Sequence, residues 1–554
     1  MKKYLLVLVS LCCALLPALA EHPEYPELRK SDANIIGHIL DKKTNEHLPY
    51  ITVALKGTTI GTVTDATGHY FLKNLPEGNF VLEISSVGYK TISRNVTLKK
   101  GKTLEENFEI EEDAIALDGV VVSANRSETT RRLAPTLVNV VDLKLFETTN
   151  SSTLSQGLNF QPGVRVETNC QNCGFQQVRI NGLDGPYTQI LIDSRPVFSA
   201  LSGVYGLEQI PASMIERVEV MRGGGSALFG SSAIAGTINI ITKEPLRNSG
   251  RLSHTITSIG GSSSFDNNTS LNASLVTDDH RAGLYIFGQN RHRSGYDYDG
   301  DGFTELPKLK NQTVGFRSYL KTSTYSKLTF EYHHMQEFRR GGDMLNRPPH
   351  EAHIAEQLQH SIDGGSLKYD YFSPDEKNRL SVFASAANTD RDSYYGPGND
   401  PLKAYGKTTD LTAMGGAQYV HSFDKLLFMP SDLTAGLEYN RDRLKDNMWG
   451  YDRHTDQTVN IYSAFLQNEW KNKHWGILIG GRLDKHNMVD DIIFSPRANL
   501  RFNPTDNINL RLSYSSGFRA PQAFDEDMHI ENVGGTVAMI ERAKDLKEEK
   551  SQSF

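Results

Sequence analysis

The sequence predicts a mainly β protein in three parts: a small N-terminal β-sandwich, a mixed α/β domain, and a C-terminal antiparallel transmembrane β-barrel. Three observations carry this. First, Ile51, Val53, Leu55 and Phe80, Leu82, Ile84 alternate with other residues at a period of two, the spacing of half-buried strands. Second, from about residue 250 the strands lengthen. In residues 507–515, Ile508, Leu510, Leu512 and Tyr514 are set to face lipid, while Asn509, Arg511 and Ser513 face a lumen. Third, only 38% of the 554 residues are hydrophobic and mean hydropathy is −0.43. Past the first twenty residues no apolar run reaches the length of a spanning helix. A barrel that exposes every second residue to lipid is still compatible with such a composition. The net charge of −7 and pI of 6.2 argue against nucleic acid as a partner.

Residues 1–20 read as a cleaved signal peptide. Lys2 and Lys3 precede an apolar core, and Ala18-Leu19-Ala20 supplies small residues at the cleavage point. Cys12 and Cys13 would leave with it, and Leu11 stands where a lipoprotein signal needs a small residue. An exported chain with two cysteines follows.

Residues 34–112 form the predicted sandwich, with turns at Asp65-Ala66-Thr67-Gly68 and Pro76-Glu77-Gly78. The run Gly61-Thr62-Val63-Thr64-Asp65 and the later Ser85-Ser86-Val87-Gly88-Tyr89 resemble the carboxypeptidase regulatory-like domain, which implies a non-catalytic module. His38, His47 and His69 are scattered and read as surface or turn residues. Residues 115–126 follow an acidic run. There Asp118, Val120, Val121 and Val122 mark a short strand without an obvious partner. Either this is the last strand of the sandwich, or it adds to a partner's sheet by backbone pairing.

Residues 127–245 carry a series of glycine-cornered strands. Arg179-Ile180-Asn181-Gly182, Ile192-Asp193, Ile215-Glu216-Arg217-Val218-Glu219-Val220 and Gly236-Thr237-Ile238-Asn239-Ile240-Ile241-Thr242 occur in order. Gly223-Gly224-Gly225 is no phosphate loop, because no Gly-Lys-Ser/Thr follows, and reads as a tight turn. This stretch resembles the plug domain of the TonB-dependent outer-membrane receptors. The resemblance makes the 115–126 segment look like a TonB box. Cys170 and Cys173 lie in a Cys-x-x-Cys pattern that fits a disulfide in an exported chain. Zinc would need two further ligands, which no nearby His or Cys supplies.

Residues 250–554 give about 13–14 strands at roughly ten residues per strand plus connector, against about 22 in plugged outer-membrane transporters. The predicted barrel is therefore incomplete and the sequence reads as truncated. Residues 545–551 look like the lead into another strand.

Three groups are candidate ligand sites. Asp297, Asp299, Asp301 and Glu305 repeat like a calcium loop, although Lys308 stands at its twelfth position. Hard carboxylates favour Ca²⁺. Arg339 and Arg340, then His350 and His353, lie in what reads as a second loop. Gly517-Phe518-Arg519-Ala520-Pro521, followed by His529, resembles a motif frequent in haem receptors.

The resemblance implies a transporter in the cell outer membrane, not an enzyme, with no required cofactor; a structural Ca²⁺ is suggested only by the acidic loop. It implies a small-molecule ligand (corrinoid, haem or siderophore), contact with outer-membrane lipid, and the TonB–ExbB–ExbD complex as the energising partner. The rival readings are a glycan importer paired with a surface lipoprotein and a secreted β-rich adhesin.

Overall fold

Alternation at a period of two resolves into three β-rich parts. The computed structural model describes residues 30–554 apart from 50, 66, 87–88, 112–119, 125, 127–128, 196–207, 209, 398–403, 506–507, 534–535 and 544. The signal segment and Asp118 lie outside the described residues.

The sandwich is two four-stranded sheets. In one, Lys30–Asp41 pairs with His69–Pro76, Thr103–Glu105 and Phe108–Ile110; in the other, Thr52–Leu55 and Gly78–Ser85 are central. The alternating residues Ile35, Ile39, Val53, Leu55, Leu82 and Ile84 are its fully buried core. His38, His47 and His69, apart in sequence, bring their rings together at 4.9–5.7 Å on its surface.

The mixed domain has a four-stranded sheet in the order Val138–Asp142, Ile215–Arg222, Gly236–Thr242, Thr188–Ile192, its last pair parallel. A separate hairpin joins Val164–Cys170 to Phe175–Ile180. Short helices Leu143–Thr148 and Leu154–Leu158 cover one side, and Asp142 caps the first through Leu145 N–H. The glycine run is the turn expected. Gly223 has φ +81°, and a Cβ at Gly224 would lie 3.2 Å from the Ser516 carbonyl of the large sheet, so a side chain there would press on that strand.

The large sheet has fourteen antiparallel strands in chain order, from Ser249–Ser258 to Glu549–Ser553. The stretch before Phe554 is its last strand, paired with Ile508–Arg519. The sheet does not close on itself. Strands outrun the predicted ten residues: Tyr405–Leu426 has 22, about twice the length that spans a bilayer. Their ends therefore stand out of the apolar band. Connectors alternate, with tight turns at 324–325 and 427–428 on one side and longer segments at 294–307, 343–353 and 520–548 on the other. Leu510 and Leu512 point outward, 55% and 68% exposed. Between them Arg511 points inward and donates to the carbonyls of Arg131, Arg132 and Ala134. The dyad pattern thus selects an apolar outside and a polar inside on which the mixed domain is seated.

Candidate functional site: the interface between inner domain and barrel wall

Every second residue of a barrel strand faces inward, so charges at i and i+2 meet the inner domain together. Arg291 and Arg293 do so from Ala282–Arg293, and Arg339 from Ser326–Gly342. All three converge on Glu208 of the inner domain, at 3.3, 3.3 and 2.8 Å. Burial alone would raise the Glu208 pKa; the guanidinium groups of Arg293, Arg339 and Arg291 outweigh it and hold the carboxyl well below the usual range. Arg339 also pairs with Glu337 at 2.6 Å and donates to the Gly174 carbonyl. A second cluster joins Arg126 and Arg482 through Glu438, and a third joins Asp193 to Arg317. Sequence reading missed these groups, although charges at alternate positions of a lumen-facing strand are their signal.

The expectation for Arg339 and Arg340 is therefore corrected. They belong to a strand end rather than to a loop, with exposures of 0% and 1%. Arg340 donates to the carbonyls of Gly341 and Asp343. The pattern Arg-Arg-Gly-Gly looked like a loop, but the strand continues to Gly342. His350 and His353 do not share a ligand position either: His350 meets Tyr405 Oη at 2.8 Å and His353 meets Asp343 at 2.6 Å. The Gly517–Pro521 motif docks the inner domain. Phe518 is buried, its N–H donates to Ser226 Oγ, and its carbonyl accepts from Ser232 N–H. Arg519 lies 4.2 Å over the Phe524 ring.

In the acidic loop, carboxylate oxygens of Asp297, Asp299 and Glu305 lie within 4.8 Å of one another; Asp301 is not in the group. Asp301 instead accepts from Phe303 N–H at 2.8 Å. Asp297 accepts from the N–H groups of Gly300 and Gly302 at 2.7 and 2.9 Å. Backbone donors thus already meet part of the charge of these carboxylates.

The valine segment is not solitary. Val120–Val121 pairs with Thr129–Thr130, and Val121 is fully buried beside Ala124, Ala134 and Val138. Glu219 Oε2 accepts from Val122 N–H, Ser123 N–H and Ser123 Oγ at 2.8–2.9 Å.

The expected disulfide is absent: Cys170 and Cys173 are thiols. Glu356 of the barrel wall accepts from Cys170 Sγ–H at 3.1 Å, and His529 Nε2 lies 3.3 Å from Cys173 Sγ. The reading that no ligand lies near them holds only along the chain, since 186 residues separate Cys170 from Glu356 and 356 separate Cys173 from His529. A hydrogen bond with Cys173 is the main cause that lowers the Cys170 thiol to about 7, against its burial. Burial would lower His529, but Cys170 and Glu356 raise it to about 10.

A mixed α/β domain held by buried charges against the polar face of an antiparallel sheet, with apolar residues outside, defines a plugged membrane β-barrel. More particularly, the chain belongs to the TonB-dependent receptor family. Residues 237–554 match the TonB dependent receptor-like β-barrel, 130–237 the TonB-dependent receptor plug domain, and 35–122 the CarboxypepD_reg-like domain. The chain is 25% identical over 424 residues to the vitamin B12 transporter BtuB of Vibrio vulnificus strain CMCP6, covering 74% of this chain and 64% of that protein. Among solved structures it resembles the siderophore receptor PirA of Acinetobacter baumannii (TM-score 0.61, 20% identity, 71% of this chain and 62% of that one). It also resembles a mutant of the ferric enterobactin receptor PfeA of Pseudomonas aeruginosa (TM-score 0.58, 19% identity, 71% and 63%). The chain thus spans under two thirds of the length of each.

Proposed function

We propose that this protein is an outer-membrane receptor that takes up a corrinoid and is energised by a TonB-type complex acting on the Val120–Val122 segment. The observation that carries the reading is the plug itself, anchored by charge clusters that a force on its N-terminal strand could release in turn. The cavity between plug and wall beside Glu438 and Asp484 has a volume of about 160 Å³, below the ~300–1,000 Å³ typical of ligand sites. Passage along that cavity would require the plug to move. The corrinoid reading rests on the similarity to the B12 transporter and on the acidic loop.

Asp297, Asp299 and Glu305 would hold Ca²⁺ through oxygen ligands and order that loop before ligand binds. Whole-cell uptake of cyanocobalamin, haem and ferric enterobactin, each tested singly, discriminates the ligands; uptake of haem or enterobactin but not cyanocobalamin would overturn the corrinoid reading. Corrinoid affinity should rise in calcium at the millimolar order of extracellular sites. Asp297→Asn with Asp299→Asn should remove that rise. The same affinity in excess chelator would leave the loop a solvated acidic surface.

A further inference from the structure

The thiol cluster lies at the tip of the plug hairpin, on the side of the longer barrel connectors. The chain turns between Cys170 and Phe175, with Gly174 at φ +68° and its N–H on the Cys170 carbonyl at 3.0 Å. The turn is pressed against the wall so closely that a Cβ at Gly341 would overlap the Asn172 carbonyl. Glu356 enters from the strand Ile354–Phe372 and His529 from the segment between Asp525–Met528 and Ile530–Val533. Cys173, Glu356 and His529 are buried and Cys170 is half-buried. Phe175 and Tyr395 hold the imidazole, each with its ring centre 5.3 Å away.

One ligand atom from each of the four residues lies within 4.8 Å of the others. Three of the separations are 3.1, 3.3 and 3.5 Å. A tetrahedral ion with bonds of about 2.0–2.3 Å sets its ligand atoms roughly 3.3–3.8 Å apart. The side chains therefore need only small rotations to meet one centre. Two sulfurs, a ring nitrogen and a carboxylate oxygen make a closed tetrahedral set suited to zinc. Soft sulfur donors disfavour calcium and magnesium.

We propose that Cys170, Cys173, Glu356 and His529 bind a transition-metal ion of the Zn²⁺ class, which clamps the plug hairpin to the barrel wall. Two ligands come from the plug, one from the wall and one from a connector, so the ion ties the plug to two parts of the barrel from which plug movement must separate it. The site does not depend on which small molecule is imported.

The whole chain is purified in detergent with Zn²⁺ present throughout, then stripped of metal under reducing conditions and given Zn²⁺, Co²⁺ or Ca²⁺ singly. One Zn²⁺ per chain should bind and slow alkylation of both thiols, whereas Ca²⁺ should not. Co²⁺ should produce sulfur-to-metal charge-transfer absorption. Cys173→Ser and His529→Ala should each weaken Zn²⁺ binding by more than the ~10–100-fold that follows loss of an outer-shell partner. Thiol protection in the unaltered protein is a readout independent of any variant's folding. Equal alkylation rates with and without Zn²⁺, or a Cys170–Cys173 disulfide in protein isolated with Zn²⁺, would overturn the proposal.

Discussion

Glu208 shows how a single buried carboxylate can hold two domains together. Its partners are unequal: Arg291 also has Asp266 and Arg339 also has Glu337, but Arg293 is otherwise bonded to the Pro307 carbonyl. Glu208→Gln should cost about 3 kcal/mol, the low end for breaking a buried ion pair. Hydrogen exchange across the plug strand Ile215–Arg222 should quicken; unchanged exchange would show that the cluster does not hold the plug. Asp193 allows a test by pH. Burial opposes its charge, yet Arg317 and the Thr242 hydroxyl lower its pKa to about 2. The folded pKa lies below the ordinary ~3.9. The stabilisation is therefore complete above that value and is lost as pH falls towards 2. An acid titration of plug unfolding should be flatter between those values in Asp193→Asn; identical titrations would refute the linkage.

At the scale of elements, the segment around Val121 is a strand with two prospective partners. Inside the protein it pairs with Thr129–Thr130 and is latched by Glu219. To add a strand to an energising partner's sheet it must leave both. Val121→Pro removes a backbone donor and fixes φ, and should stop uptake while surface binding of ligand persists. Undiminished uptake would end the assignment. Glu219→Gln weakens three hydrogen bonds by removing the charge that accepts them. Amide exchange at Val122 and Ser123 should then quicken several-fold, with Ile508–Arg519 unaffected; equal protection would mean that packing at Val121 alone holds the segment.

Over the whole molecule, plug and barrel divide the work. The barrel presents backbone-satisfied strands whose outer face can meet lipid. The plug meets the inner face through Glu208, Asp193, Glu244 with Lys327, and Arg126 with Glu438. Movement should then break buried ion pairs in steps rather than one apolar core at once. Raising ionic strength should ease extraction of the plug from detergent-held protein only modestly, because these pairs are buried and weakly screened. A steep salt dependence would place the holding contacts at the surface.

The sequence by itself determined the β class, the order of the parts and which residues of a strand face outward. Those properties depend on local period and turn chemistry: Ile508, Leu510 and Leu512 can only lie on one face if Arg511 lies on the other. It also showed the acidic loop and the Cys-x-x-Cys pair, since both are contiguous. Tertiary structure decided what such residues meet. Arg339 looked like a loop residue until the strand carried it inward to Glu208. Val121 looked unpartnered until Thr129 came beside it. Cys170 and Cys173 looked like a pair joined to each other until barrel packing brought Glu356 and His529 beside them from 186 and 356 residues away. Period fixes which way a side chain faces, whereas a contact between distant residues exists only once the sheet has curved around the plug.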